Sequence, residues 1–161
     1  MTDIGANAKM NEFCAIMGLL NLKYIESAME DRRRVYEAYT NALVGVEGIR
    51  RLKQNGYGKQ GENQGTSYPV SDNFAYFPIV IEEAYPLTRN QLYESFAEKG
   101  IHVRKYFYPL TSDQACFKNR YKKVELPVAR ALSERMLTLP IYEGLENADV
   151  ERIIRILSNV R

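Results

Sequence analysis

From Met10 to about Leu43 apolar residues recur at helical spacing. Phe13, Met17, Leu20 and Tyr24 form one stripe, and Ile25, Met29, Val35, Tyr39 and Leu43 continue along a more charged stretch. The pattern predicts two amphipathic helices between residues 9 and 44. Gly45 and Gly48 end them, and Ile49 to Leu52 reads as a short strand. Residues 54–71 carry Gly56, Gly58, Gly61 and Gly65 among polar side chains, a composition too poor in apolar residues to pack, which predicts a mobile loop. Asn73 to Ile81 is dense in β-branched and aromatic residues and predicts a strand, with Pro78 implying an edge or a bulge.

A T-x-x-Q capping box at Thr88 and Gln91 opens a helix that places Leu92 and Phe96 on one face, and Gly100 is positioned to end it. Ile101 to Tyr108 predicts a second strand that stops at Pro109 and leads to a short helix near Asp113 to Phe117. Helical spacing returns after Pro127 at Val128, Leu132 and Met136, until Leu139, Pro140 and Ile141 break it. Asn147 then caps a last helix with Val150, Ile153, Ile154 and Leu157 inward. Helices packed on a small, mainly antiparallel sheet make an α+β layer domain.

The chain of 161 residues, 45% hydrophobic and 26% charged, is long enough for one domain, residues 1–161, with its own core. A net charge of +2 selects neither nucleic acid nor an acidic surface as partner. The run Glu30, Asp31, Arg32, Arg33, Arg34 mixes both signs, as a solvated helix face does. No stretch has the apolar length of a membrane span and the N-terminus lacks a signal-peptide layout, so a cytoplasmic protein is expected. Cys14, Cys116 and the single histidine, His102, are too few and too scattered for a metal site. Cys14 lies in an apolar helical run, where a buried, inert thiol is expected.

Two segments carry candidate chemistry. In Arg104-Lys105-Tyr106-Phe107-Tyr108-Pro109, strand alternation would put Arg104, Tyr106 and Tyr108 on one face and Lys105 and Phe107 on the other. Such a face suits a phosphate, through the arginine fork, with a sugar or base stacked on the rings; the plainer reading is a strand with Tyr tips reaching water. In Gly5-Ala6-Asn7-Ala8-Lys9-Met10-Asn11-Glu12, Asn7 and Asn11 can cap the first helix, whose N-terminus also suits an anion.

These segments resemble a family. G-A-N-A-K-M-N-E looks like the G-x-N-x-[RK]-[ML]-x-[ED] helix opening of the DegT/StrS nucleotide-sugar aminotransferases. G-I-H-V-R-K-Y-F-Y-P-L, then C-F, then L-P-V-A-R-A-L-S-E-R-M-L-T-L-P-I-Y follow in that family's order. Within it, R-K-Y-F-Y-P-L is most similar to enzymes that aminate the 4-keto group of a dTDP-linked 6-deoxyhexose, in amino-sugar and polysaccharide biosynthesis. The resemblance implies the small C-terminal domain of a fold-type I (α/β) transaminase that uses pyridoxal 5'-phosphate (PLP), normally a homodimer.

It implies further that Asn7 reaches into a partner subunit to bind the PLP phosphate, with Lys9 beside it, and that Arg104, Tyr106, Phe107 and Tyr108 border the sugar-nucleotide site. The family's N-terminal PLP domain, with the Schiff-base lysine and the acidic partner of the ring nitrogen, precedes the matched region. The isolated chain is therefore expected to be inactive, to hold no catalytic residue and not to retain PLP alone. Thr111 stands where many relatives carry His, so no role transfers there. The sugar and the amino-acid donor stay open, as does an alternative of another class: a stand-alone ligand- or nucleic-acid-binding or assembly module whose rings stack bases.

Overall fold

The computed structural model describes residues 9–52, 72–117 and 125–159. Asn7 and the glycine-rich stretch 54–71 lie outside the described residues.

One 31-residue helix, α1 (Glu12–Ala42), stands where the pattern predicts two. Asn11 caps it, its side chain accepting the Cys14 N–H at 2.9 Å. Gly18, the one glycine inside α1, sits in open space and does not interrupt it. What changes along the helix is how it is covered. Its second half buries Val35 and Tyr39, whereas Phe13 in the first half is 83% exposed. Cys14 is exposed with its apolar neighbours, contrary to the expected buried thiol. Spacing tells which side chains share a face; it does not tell whether anything lies on that face.

Strands β1 (Ile49–Arg51), β2 (Phe77–Ile81) and β3 (Met136–Leu139) form an antiparallel sheet in the order β1-β2-β3. Phe77 pairs with Leu139, Ile79 with Leu137 and Ile81 with Ile49, so the period-two alternation puts these side chains on one face. That face joins Val35 and Tyr39 and the apolar side of α4 (Asn147–Ser158), Val150, Ile153, Ile156 and Leu157, in one core. The rings of Tyr36 and Tyr39 close on Phe77 at 4.9 and 5.1 Å. The Tyr39 hydroxyl donates to the Pro140 carbonyl at 2.9 Å, and burial raises its pKa above the ordinary phenol value. Asn147 is the first residue of α4 rather than its cap, and its side-chain oxygen instead accepts from Arg34.

β2 is the central strand and pairs with β3 in unbroken register, so Pro78 marks neither the edge nor the bulge that it implies. Thr138, opposite Pro78, exchanges both of its backbone hydrogen bonds with Arg104, at 2.8 and 3.1 Å. The Pro78–Thr138 pair is therefore not hydrogen-bonded, and the donor that Pro78 lacks would point the other way, past the end of β1 at Arg51.

The capping box is present, opening α2 (Arg89–Glu98), with Leu92 and Phe96 buried. Helix α3 (Pro127–Arg135) ends before Met136, whose backbone is extended and begins β3. The helical spacing through Met136 is thus overturned: Leu132 and Met136 keep an interval of four across a helix-to-strand junction. The strand predicted over Ile101 to Tyr108 reduces to one bridge, Arg104 to Thr138. The short helix near Asp113 is a single 3-10 turn, Thr111–Asp113. No helix among the described residues is long and apolar enough to cross a membrane, and no three of their His, Cys, Asp or Glu side chains cluster to hold a metal.

Candidate functional site

Residues 104–108 leave the sheet edge as a turn. Arg104 is fixed by its paired backbone bonds to Thr138, and the Tyr108 N–H closes on the Lys105 carbonyl at 3.1 Å. A turn of this kind breaks strand alternation. Tyr106 and Phe107, placed on opposite faces by the strand reading, stack on each other instead, centroids 4.7 Å apart and planes 19° apart. Arg104 donates to the Tyr106 hydroxyl at 2.6 Å, and the Tyr76 ring meets Tyr106 edge-on at 5.4 Å.

The remaining two side chains of the turn face α2. The Lys105 ammonium lies 4.2 Å from the centre of the Tyr93 ring, and the Arg89 guanidinium lies 4.8 Å from that of Tyr108. Beyond Pro109, Arg130 of α3 grips the Asp113 carboxylate with two bonds at 2.7 and 3.1 Å, which raises the arginine's pKa. Phe107 stays 72% exposed, Tyr108 54% and Tyr76 52%. The outcome is a held, outward-facing aromatic strip beside the exposed Arg104, whose guanidinium is held by the Tyr106 hydroxyl, suited to stacking a flat or sugar ring and pairing with a phosphate.

Of the residues singled out from sequence, Arg104, Tyr106, Phe107 and Tyr108 come together here, in two sets rather than on one face. Lys9 stands exposed before α1 and, among the described residues, joins no part of this cluster. Three members escaped sequence reasoning: Tyr76, Tyr93 and Arg89. Only Arg89 left a signal, since an arginine in the first turn opposes the positive end of the helix dipole.

Residues 1–158 match the DegT/DnrJ/EryC1/StrS aminotransferase family. The chain belongs to that family. It is 33% identical over 98% of its length to a dTDP-4-amino-4,6-dideoxy-D-glucose transaminase of Escherichia coli and 29% identical to one of Shigella dysenteriae, and in each case spans 40% of the relative's length. DesI, solved with its TDP-sugar product, superposes with a TM-score of 0.79 at 26% identity over 96% of this chain and 36% of that one. Helicobacter pylori PseC, at 17% identity and a TM-score of 0.76 over 97% of this chain and 38% of its own, shares the fold. The α+β layer domain is thus that of this aminotransferase family, and an independent nucleic-acid module is not favoured.

The family's enzymes use PLP, and a Streptococcus pneumoniae relative has been solved in its PLP form. Holding that cofactor takes a lysine for the Schiff base and an acidic partner for the ring nitrogen. Lys105 is engaged with Tyr93 and Lys99 with Ser95, while Lys9 and Lys23 are exposed.

Proposed function

We propose that this chain supplies the C-terminal part of a PLP-dependent aminotransferase that aminates the 4-keto group of a dTDP-linked 6-deoxyhexose, working as a cytoplasmic homodimer with an amino-acid donor. The 33% identity to the Escherichia coli transaminase across nearly the whole chain carries the reading. In it, Arg104 pairs with phosphate while Tyr106, Phe107 and Tyr108 line the sugar-nucleotide site, and Asn7 and Lys9 contact the PLP phosphate of the partner subunit. An N-terminal PLP domain supplies the cofactor lysine, so the chain by itself is inactive.

The test is a fusion of this chain to the N-terminal portion of the Escherichia coli relative, assayed with PLP, glutamate and a dTDP-4-keto-6-deoxysugar. The amino sugar is the expected product. A folded fusion that binds PLP yet forms none would overturn the reading. In an active fusion, Arg104→Ala should raise KM for the sugar nucleotide by about tenfold or more, the scale of one lost charge-assisted contact, with kcat changed less. An unchanged KM removes Arg104 from the site.

A further inference from the structure

Arg89 is 5% exposed, yet no carboxylate pairs with it among the described residues. Its Nη1 donates to the carbonyls of Ser133 at 3.0 Å and Met136 at 3.4 Å, at the C-terminal end of α3. Its Nε is buried without a hydrogen-bond partner among the described residues. Burial pulls its pKa below the ordinary arginine value, with Tyr108 and Glu134 opposing the shift. Burying a guanidinium this way costs free energy that an apolar side chain of similar volume would not. Besides those two carbonyl bonds, the cation does one further thing that an apolar residue could not: it lies against the Tyr108 ring at 4.8 Å.

A second contact completes the pattern. Arg89 and Tyr93 are four apart on α2 and so share one face. Arg89 offers a cation to an aromatic ring of the 104–108 turn, and Tyr93 offers a ring to its cation, Lys105. The two clasps bracket the stacked pair of half-buried Tyr106 and exposed Phe107.

We propose that Arg89 is a positioning residue: with Tyr93 it forms a reciprocal cation–π clasp from α2 that fixes where the Tyr106–Phe107 pair stands. The functional half of this proposal rests on the reading of residues 104–108 as a wall of the sugar-nucleotide site.

The test is run first on the chain as it is. Arg89→Met should speed exchange of the Tyr108 amide, which is bonded to the Lys105 carbonyl, by about tenfold as the turn loosens. Tyr108→Leu should do the same from the exposed side and displace the Arg89 Nε–H resonance, while Tyr108→Phe, which keeps the ring, restores it. The double variant should be no worse than either single one, the signature of a shared contact. If Arg89→Met does not fold, Tyr108→Leu and Lys105→Met carry the test. Additive effects, or an Arg89 resonance that ignores Tyr108→Leu, overturn the clasp, because a purely structural arginine bound to the α3 carbonyls would behave that way. In the active fusion, Arg89→Met should raise KM for the sugar nucleotide more than it lowers kcat. Coupling in the chain with an unchanged KM would instead overturn the wall reading while leaving the clasp.

Discussion

Gly48 shows how one residue sets the geometry around it. Its φ of +76° is in the left-handed region, and a Cβ placed there would stand 2.1 Å from the backbone nitrogen of Tyr85. The close approach has a purpose: the Gly48 carbonyl accepts the Glu82 N–H at 2.8 Å, seating the 82–85 turn over the entry to β1. Tyr85 in turn sends its hydroxyl to the Leu157 carbonyl at 2.9 Å, and burial pushes its pKa up to about 12. Gly48→Ala therefore meets backbone strain and a clash with main chain that cannot swing away. Its expected cost is roughly 3 kcal/mol or more, well above the ~1 kcal/mol of an ordinary substitution. Urea unfolding would check this, and a loss under 1 kcal/mol would mean the turn moves aside.

At the scale of elements, α1 and the segment entering α4 are joined by one polar latch. The Asp31 carboxylate accepts the Gly144 N–H and two bonds from Arg34, and Arg34 continues to the Leu145 carbonyl at 2.7 Å. The Gly144 bond first, then Arg34, holds the Asp31 pKa below its ordinary value. A carboxyl whose pKa is lower folded than unfolded adds stability above the unfolded value, about 4, and loses it as pH falls toward the folded value. Thermal midpoints measured from pH 5 to pH 3 should thus fall more steeply for the natural chain than for Asp31→Asn. Parallel curves would show that the latch does not discriminate the charged form. Nothing in the sequence marked this latch, because its halves lie 113 residues apart. By contrast the capping box of α2, strand β1 and the apolar stripe of α4 are local patterns, legible because each depends on neighbours within a turn or a strand. β3 was illegible for the opposite reason: Met136 satisfies a helical interval and a strand equally, and tertiary pairing with β2 decides. In the site, residue types announced Arg104, Tyr106, Phe107 and Tyr108, but the clasp to α2 depends on how the turn leaves the sheet edge, which period-two reasoning cannot supply.

For the molecule as a whole, the first half of α1 is the unbalanced part. Phe13, Ile16, Met17, Leu19, Leu22 and Tyr24 are each more than half exposed, and they surround the helix rather than line one side, the pattern of a helix meant to be enclosed. The chain spans 40% of the length of its Escherichia coli relative, and in the proposed enzyme the rest of the subunit and the dimer partner would cover these side chains. Alone, the chain keeps them in water. Burying six such side chains at about 1.5 kcal/mol each gives a gross gain of roughly 9 kcal/mol, within the range of about 4–15 kcal/mol that association itself costs. The two nearly cancel, so the expected behaviour is weak, concentration-dependent self-association rather than a tight dimer. Sedimentation velocity over a hundredfold concentration range should show the average mass rising, and Phe13→Asp with Leu20→Lys should hold it at the monomer while leaving the core, which begins at Val35, intact by circular dichroism. A natural chain that stays monomeric throughout would mean that the first half of α1 folds back or frays in solution, and would remove this helix as the surface on which the proposed assembly is built.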